Sequence, residues 1–437
     1  MTTTQPGAVL PVTLAYGSTG LTVDFPSDRT TVVAPKFLEA APDPASTLRD
    51  ALAKPVSGRP LRDIVTPGQR IAVSLCDLTR PQPRELMVRA LLAELDGIAS
   101  RDDFTLLVAT GTHRGNTDSE LRQMLGDELV DTMRIVNHDA RDTESLAWMG
   151  TYGEGVPVWL NRHWVDADIR ITTGFVEPHF FAGFSGGPKL VAPGLAGLET
   201  VLTLHNAARI GSDRATWAVC EGNPVHDDIR AIAHGTGVDF AFDVVLNREQ
   251  KVIAAFGGEL LAMHAAAREV VHELSMCPVP QLYDVVVTTN AGFPLDQSVY
   301  QAVKGMTAAA TVVKPGGLII CAAECSDGFP DHGSFREVLA SEPTPAELLA
   351  AISARTETVP DQWQVQVLAR LLATARVGMH TTHLSDEELR TAHLFLVEDI
   401  AAAVEAELTA VGPDARVCVL PEGPQTIPYL IEAHTHE

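Results

Sequence analysis

Cysteine is scarce in this chain. Six occur in 437 residues, at Cys76, Cys220, Cys277, Cys321, Cys325 and Cys418, and no two form a CxxC pair. That scatter argues against a disulfide framework and against a Cys-rich zinc site. Long hydrophobic runs are missing too: no stretch approaches the ~20 apolar residues needed to cross a bilayer. The opening MTTTQPGAVLPVTLAYG lacks the basic segment and apolar core of a secretory signal, so the cytoplasm is the expected location. Positive charge is in deficit, with 32 Lys and Arg against 56 Asp and Glu and a net charge of −24. Such a surface repels phosphate backbones and anionic membranes, which excludes nucleic acid and lipid surfaces as expected partners. It leaves an anionic small molecule open, because a few local basic groups can hold one carboxylate. Also absent are internal repeats, low-complexity segments and a GxGxxG fingerprint followed by an acidic residue, so freely exchanging NAD is poorly supported.

What is present is an ordinary globular composition, 46% hydrophobic and 20% charged. A chain of this length can bury large cores in two or three domains. Short strands open it (LPVTLAYG, GLTVDFP), and a helix follows near Thr47 to Ala53. From Arg70, apolar runs alternate with helical patterns: IAVSLCD, PRELMVRALLAELDGI, FTLLVATGTHRG, SELRQMLGDELV, MRIVNHD and DIRITTGFV. Buried strands alternating with helices predict an α/β fold with mostly parallel sheets flanked by helices. The helical AMHAAAREVVHELSM leads into CPVPQ, whose two prolines suggest a linker. YDVVVTTNAGFP, a helix from about Asp296, KPGG and LIICAAE then open a second strand–helix–strand unit. The expected division is residues 1–278 and 282–410, with the tail 411–437 able to return to the first.

In open parallel sheets ligands bind beyond the carboxyl ends of the strands, and several of these ends carry reactive groups. Asp77 and Arg80 follow IAVSL; the Arg fork suits a carboxylate or phosphate, although a surface ion pair is equally compatible. His113 follows FTLLVAT between Gly111 and Gly115, where an imidazole can reach a cleft or simply make one structural hydrogen bond. GFVEPHFFAGFSGGPKLVAPGLAG holds His179, Gly186, Gly187 and Lys189. It suggests backbone amides around a phosphate, but it is no P-loop, since Pro188 and Leu190 flank the lysine. His205, in VLTLHN, has no HxxxH or HExxH partner; it reads as one ligand completing a metal site held by a cofactor, or as a core histidine. Gln301 and Lys304 are three apart on a predicted helix beside Tyr300 and share a face. Trp363 is a cleft lid or a core residue. His138, His163, His226, His234, His264, His272, His380 and His383 lack Gly-flanked settings and read as structural.

Taken in order, DLTRP, GTHRG, PHFFAGFSGGPK, LHN, YQAVKG and QW resemble the nickel-pincer lactate racemase family, from LAYG near the start to Trp363. The resemblance implies two α/β domains with the active site in the cleft between them. It implies a nickel-pincer nucleotide, the nickel complex of pyridinium-3,5-bisthiocarboxylic acid mononucleotide. Lys189 would carry it covalently, and Asp77, Thr79, Gly186 and Gly187 would line it. His205 would ligate the nickel, and His113 and His179 would be the paired acid and base. Arg80, Tyr300, Gln301, Lys304 and Trp363 would bind the substrate. It also implies cofactor-maturation enzymes as transient partners. The reaction would be racemisation or epimerisation of a small-molecule 2-hydroxy acid. Direct removal of the C2 proton is hard beside a carboxylate, whereas hydride transfer passes through a flat 2-keto acid, with the cofactor supplying the difficult step. One departure is Pro188, where the family often carries Arg. Two alternatives use the same loops: a metal- or nucleotide-dependent hydro-lyase or oxidoreductase without a tethered cofactor, and a non-catalytic hydroxy-acid-binding module.

Overall fold

The computed structural model describes residues 8–36, 38–330 and 333–431. The chain divides into two compact units, Phe37–Glu273 and a second assembled from Met1–Lys36 with Leu274–Glu437.

The Phe37–Glu273 unit is built on six strands in the order Val252–Gly258, Phe240–Leu246, Ile169–Phe175, Ile71–Cys76, Phe104–Ala109, Arg134–Asn137. All neighbours run parallel except the first pair. Ile71–Cys76 is buried along its whole length, as its unbroken apolar run requires of a strand covered on both faces. The chain leaves Ile71–Cys76 toward Phe104–Ala109 on one side, while Ile169–Phe175 lies on the other and continues to Phe240–Leu246. The switch point, the place where open α/β sheets bind ligands beyond the strand ends, therefore falls between Ile71–Cys76 and Ile169–Phe175. The loops leaving these two strands are DLTRP and VEPHFFAGFSGGPK. Helix Arg84–Glu94 starts behind Pro83 and buries Met87, Val88 and Leu91 at helical spacing in the core beneath the sheet. The expected helix over SELRQMLGDELV is two: Asp118–Leu125, opened by a Thr117–Glu120 capping box, and Asp127–Thr132. Gly126, at φ 78°, breaks it.

The other unit has six strands, all parallel, in the order Phe395–Leu396, Arg376–His380, Val313–Ala322, Tyr283–Thr289, Val417–Leu420, Thr30–Val32. The hairpin Val9–Leu14/Leu21–Pro26 turns alternate residues inward. Its Leu14 and Phe25 are fully buried against Val285, Val287 and Val419, each burial contributing roughly 2–3 kcal/mol. The boundaries differ from the division read in the sequence. The first 36 residues do not join the Phe37–Glu273 unit, because Thr30–Val32 pairs with Val417–Leu420. The tail stays with the second unit as well, through Val417–Leu420 and Ile427–Leu430. CPVPQ is not a linker: Met276–Val279 is a strand paired with Ile427–Leu430. No helix among the described residues is long and apolar enough to cross a membrane.

Candidate active site

Two side chains frame the DLTRP loop in the Phe37–Glu273 unit. Gln82 accepts from the Cys76 amide at 2.7 Å and donates to the Thr173 hydroxyl at 2.9 Å, joining the two switch-point strands. The buried Arg84 guanidinium donates to the carbonyls of Cys76 (2.7 Å), Gln82 (3.1 Å), Arg80 (2.6 Å) and Asp77. Four carbonyls on one fork fix the loop's path. The buried Asp77 then accepts from the Thr79 hydroxyl at 2.6 Å and pairs with His113 Nδ1 at 2.6 Å. Burial pushes the Asp77 carboxyl up, but the His113 hydrogen bond, the His113 and Arg80 charges and the Thr79 hydroxyl outweigh it and hold the group below its ordinary value. A carboxylate only accepts, so Nδ1 carries the proton and Nε2 is the acceptor nitrogen of neutral His113. Asp77 was expected beside Arg80 or the cofactor; its carboxylate is bonded to Thr79 and His113.

The glycine-rich loop carries the second group. Phe181, buried, is touched by three of the expected residues. His179 meets its ring edge-on at 4.5 Å, His205 at 5.4 Å, and Lys189 Nζ lies 5.9 Å from its centroid. Lys189 sits on the 3-10 turn Gly187–Leu190. Ser74 pins that turn by donating to the Leu190 carbonyl at 2.7 Å. The Gly194 amide bonds the Lys189 carbonyl at 3.0 Å, and the Gly111 amide bonds the Gly194 carbonyl at 3.0 Å. The lysine turn is thereby stitched to the GTHRG loop that bears His113. Gly186 and Gly187 have φ of 73° and 48°. A Cβ on Gly186 would lie 2.6 Å from Asp243 Oδ2, and one on Gly187 would lie 2.6 Å from His264 Cγ. The Gly187 amide, which the loop's composition offers to a phosphate, is donated instead to Asp243 at 2.6 Å.

His179 Nδ1 accepts from the Ala182 amide at 3.2 Å, which puts the ring proton on Nε2. His205 caps the end of helix Leu198–Leu204. Its Nδ1 lies 2.7 Å from the Val201 carbonyl, an acceptor, so Nδ1 is the donor and Nε2 bears the lone pair. Burial, joined by the Lys189 charge, drives His205 down to about 4 against the pull of that carbonyl. A neutral imidazole oriented through its other nitrogen is the form that ligates a metal. Among the described residues no group of three or more His, Cys, Asp or Glu is arranged to hold a metal ion. A metal here would need donors from elsewhere; one imidazole beside a primary amine suits a cofactor that brings its own.

The second unit carries the remaining candidates. Helix Val299–Ala310 starts at Ser298, whose hydroxyl accepts from the Gln301 amide at 3.4 Å. Lys304 Nζ donates to Gln301 Oε1 at 2.7 Å, so the two share a face as their spacing requires. Helix Gln362–Leu372 packs on it: Gln364 donates to the Tyr300 carbonyl at 2.6 Å. Trp363 is buried in that helix's first turn, and the Tyr300 ring meets Phe335 edge-on at 5.1 Å.

Sequence reasoning missed Gln82, Arg84 and Asp243, and set His226 and His264 aside as merely structural. Both histidines hold the glycine-rich loop, His226 Nδ1 to the Ala182 carbonyl at 3.1 Å and His264 Nε2 to the Ser185 carbonyl at 2.8 Å. Arg84 lay in plain view, four residues after Arg80, but a buried Arg is signalled only by the carbonyls it meets.

Known proteins are similar to this chain along almost its full length. Residues 16–218 match the lactate racemase N-terminal domain, and residues 280–427 match the lactate racemase C-terminal domain. The lactate racemase of Thermoanaerobacterium thermosaccharolyticum is 33% identical over 421 residues, 95% of this chain and 98% of that protein. That of Lactiplantibacillus plantarum is 36% identical over 380 residues, 86% of this chain and 89% of its own length. The structure of the T. thermosaccharolyticum lactate racemase apoprotein superposes with a TM-score of 0.89 over 97% of this chain and 100% of that one. A Thermotoga maritima crystal structure, 20% identical with a TM-score of 0.66 over 90% of this chain and 100% of that one, shares the fold. With both domains matched and a third of the residues identical to a full-length relative, the chain belongs to the lactate racemase family.

Proposed function

We propose that this protein, an isomerase of the lactate racemase family, inverts C2 of a 2-hydroxy acid by reversible hydride transfer. The supporting observation is the meeting of His179, Lys189 and His205 on the Phe181 ring, beside a turn stitched to the His113 loop. Lys189 offers a primary amine for a covalent tether and His205 a neutral imidazole for nickel. These residues fit a nickel-pincer nucleotide, which when bound supplies an acceptor for the C2 hydride.

The chain's own residues do the rest. Asp77 holds His113 so that Nε2 can take a hydroxyl proton, and its negative charge stabilises the imidazolium that forms. His179, with its proton on Nε2, is set as a donor toward the substrate oxygen. As the C2–H bond breaks with its electron pair, the hydroxyl oxygen loses its proton and a planar 2-keto acid results. Return of hydride to the opposite face, with a proton from a histidine to the oxygen, gives the other configuration. Arg80 supplies a fork for the carboxylate. Tyr300, Gln301, Lys304 and Trp363 are the further groups assigned to substrate binding. Cofactor-maturation enzymes are the transient partners that go with this reading, and the cytoplasm its expected setting.

The test uses enantiopure 2-hydroxy acids deuterated at C2, incubated with protein co-expressed with cofactor-assembly enzymes. Hydride transfer predicts inverted product that keeps its deuterium. Inverted product carrying solvent hydrogen at C2 would mean proton abstraction, and no inversion of any such acid would reject the function.

A further inference from the structure

The glycine-rich loop is gripped from behind by buried side chains to which the chemistry above gives no task. Asn223 donates to the Phe181 carbonyl at 2.9 Å, His226 to Ala182, and His264 to Ser185. Asp243, on strand Phe240–Leu246 and fully buried, takes the Gly187 amide at 2.6 Å. The first three hold carbonyls ahead of the turn. Of the four, Asp243 is the one whose hydrogen bond is to Gly187–Leu190, the turn that bears Lys189.

Gly186 and Gly187 lie in the left-handed region, which glycine enters at little cost and leaves as readily. Asp243 is an expensive group to place there. Burial pushes its carboxyl up to about 7, and what favours its charge is the Gly187 and Gly174 amides. A carboxylate buried against amides costs stability unless its hydrogen bonds are good. Its fit to the turn is close, since any Cβ on Gly186 would strike Oδ2.

We propose that Asp243 is a positioning residue for the tether: by holding the Gly187 amide it fixes the turn that presents Lys189 toward Phe181 and His205. The inference rests on the reading of Lys189 as the cofactor's attachment point. It assigns Asp243 no contact with substrate or cofactor.

The experiment compares full-length wild type, Asp243→Asn and Asp243→Ala, each co-expressed with the cofactor-assembly enzymes. Intact mass gives the fraction carrying the adduct. Amide hydrogen exchange over residues 185–191 reports whether the Gly187 amide is protected. Asp243→Ala should still melt cooperatively yet lose about tenfold in adduct fraction, the worth of one buried hydrogen bond. Its Gly187 amide should exchange faster while the sheet stays protected. Asp243→Asn keeps an acceptor oxygen and should restore both readouts close to wild type, a rescue that mere core filling would not predict. If Asp243→Ala does not fold, the Asn variant and the wild-type Gly187 exchange decide. Undiminished adduct in Asp243→Ala, an Asn variant lacking the adduct, or an unprotected Gly187 amide in wild type would each overturn the inference alone. Absence of adduct from wild type would instead remove the tether reading on which it rests.

Discussion

At the scale of single residues, the two expected acid–base histidines are held through the same nitrogen in opposite senses. His113 Nδ1 donates a hydrogen bond to Asp77, and His179 Nδ1 accepts one from the Ala182 amide. One ring is thus poised as acceptor and the other as donor at Nε2, which suits the proposed reaction, in which the oxygen loses a proton and later regains one. Asp77→Asn keeps the shape and removes the charge. It should lower kcat by ~10²–10⁴-fold, the usual worth of acid–base assistance, with KM changed far less; steady-state kinetics on both enantiomers checks this. It should also alter acid stability. Because the folded Asp77 carboxyl lies below its ordinary 3.8, its contribution is present above that value and is lost as the pH falls below it. The mutant's stability should therefore fall less steeply than wild type in that acid range. The residue types His113, His179 and Lys189 were legible in the sequence as loop signals, and His205 as a ligand or a core histidine. The meeting of His179, Lys189 and His205 on Phe181 was not, because one-dimensional spacing does not say which loops a sheet brings together.

At the scale of elements, the site depends on two short loops made rigid by buried polar groups. Arg84 directs its donors to four carbonyls in and beside DLTRP, those of Cys76, Asp77, Arg80 and Gln82. Arg84→Met would leave those carbonyls buried without their donor. Proteolysis should cut near residues 77–83 faster than in wild type, and turnover should fall as His113 loses its oriented partner. Gly187→Ala places a Cβ 2.6 Å from His264 Cγ at φ 48°. Left-handed strain alone costs about 1–3 kcal/mol, so a thermal melt should show a clear loss and the adduct fraction should drop with it. Strand and helix types were largely readable, because unbroken apolar runs and helical spacing survive tertiary context. The failures were at punctuation. Gly126 ends a helix that its flanking apolar residues seemed to continue, and the prolines of CPVPQ disguised a strand that pairs only with a segment about 150 residues away.

At the scale of the whole molecule, the two units differ in how they are made. Phe37–Glu273 is one continuous segment with a complete sheet, whereas its companion joins both ends of the chain. A 37–273 fragment should therefore melt cooperatively on its own, and a fragment beginning at Leu274 should not, lacking Thr30–Val32 and the hairpin that covers its core. Buried histidines set the acid side of stability. Burial holds His138, His205, His226 and His264 below the ordinary 6.5, His205 and His226 at about 4. Between those values the unfolded chain binds protons that the folded chain does not, so stability falls as pH drops through that window. Asp243, raised to about 7, acts oppositely, but it is one group against these four. The melting temperature should thus decline from about pH 6.5 toward pH 4, and His226→Asn should flatten the decline. The most direct measurement for the whole account is peptide mapping by mass spectrometry of matured, full-length protein. The account predicts one nickel-binding nucleotide adduct, carried on the peptide containing Lys189 and absent from Lys189→Ala. An inverting enzyme whose Lys189 peptide has only its amino-acid mass would contradict it.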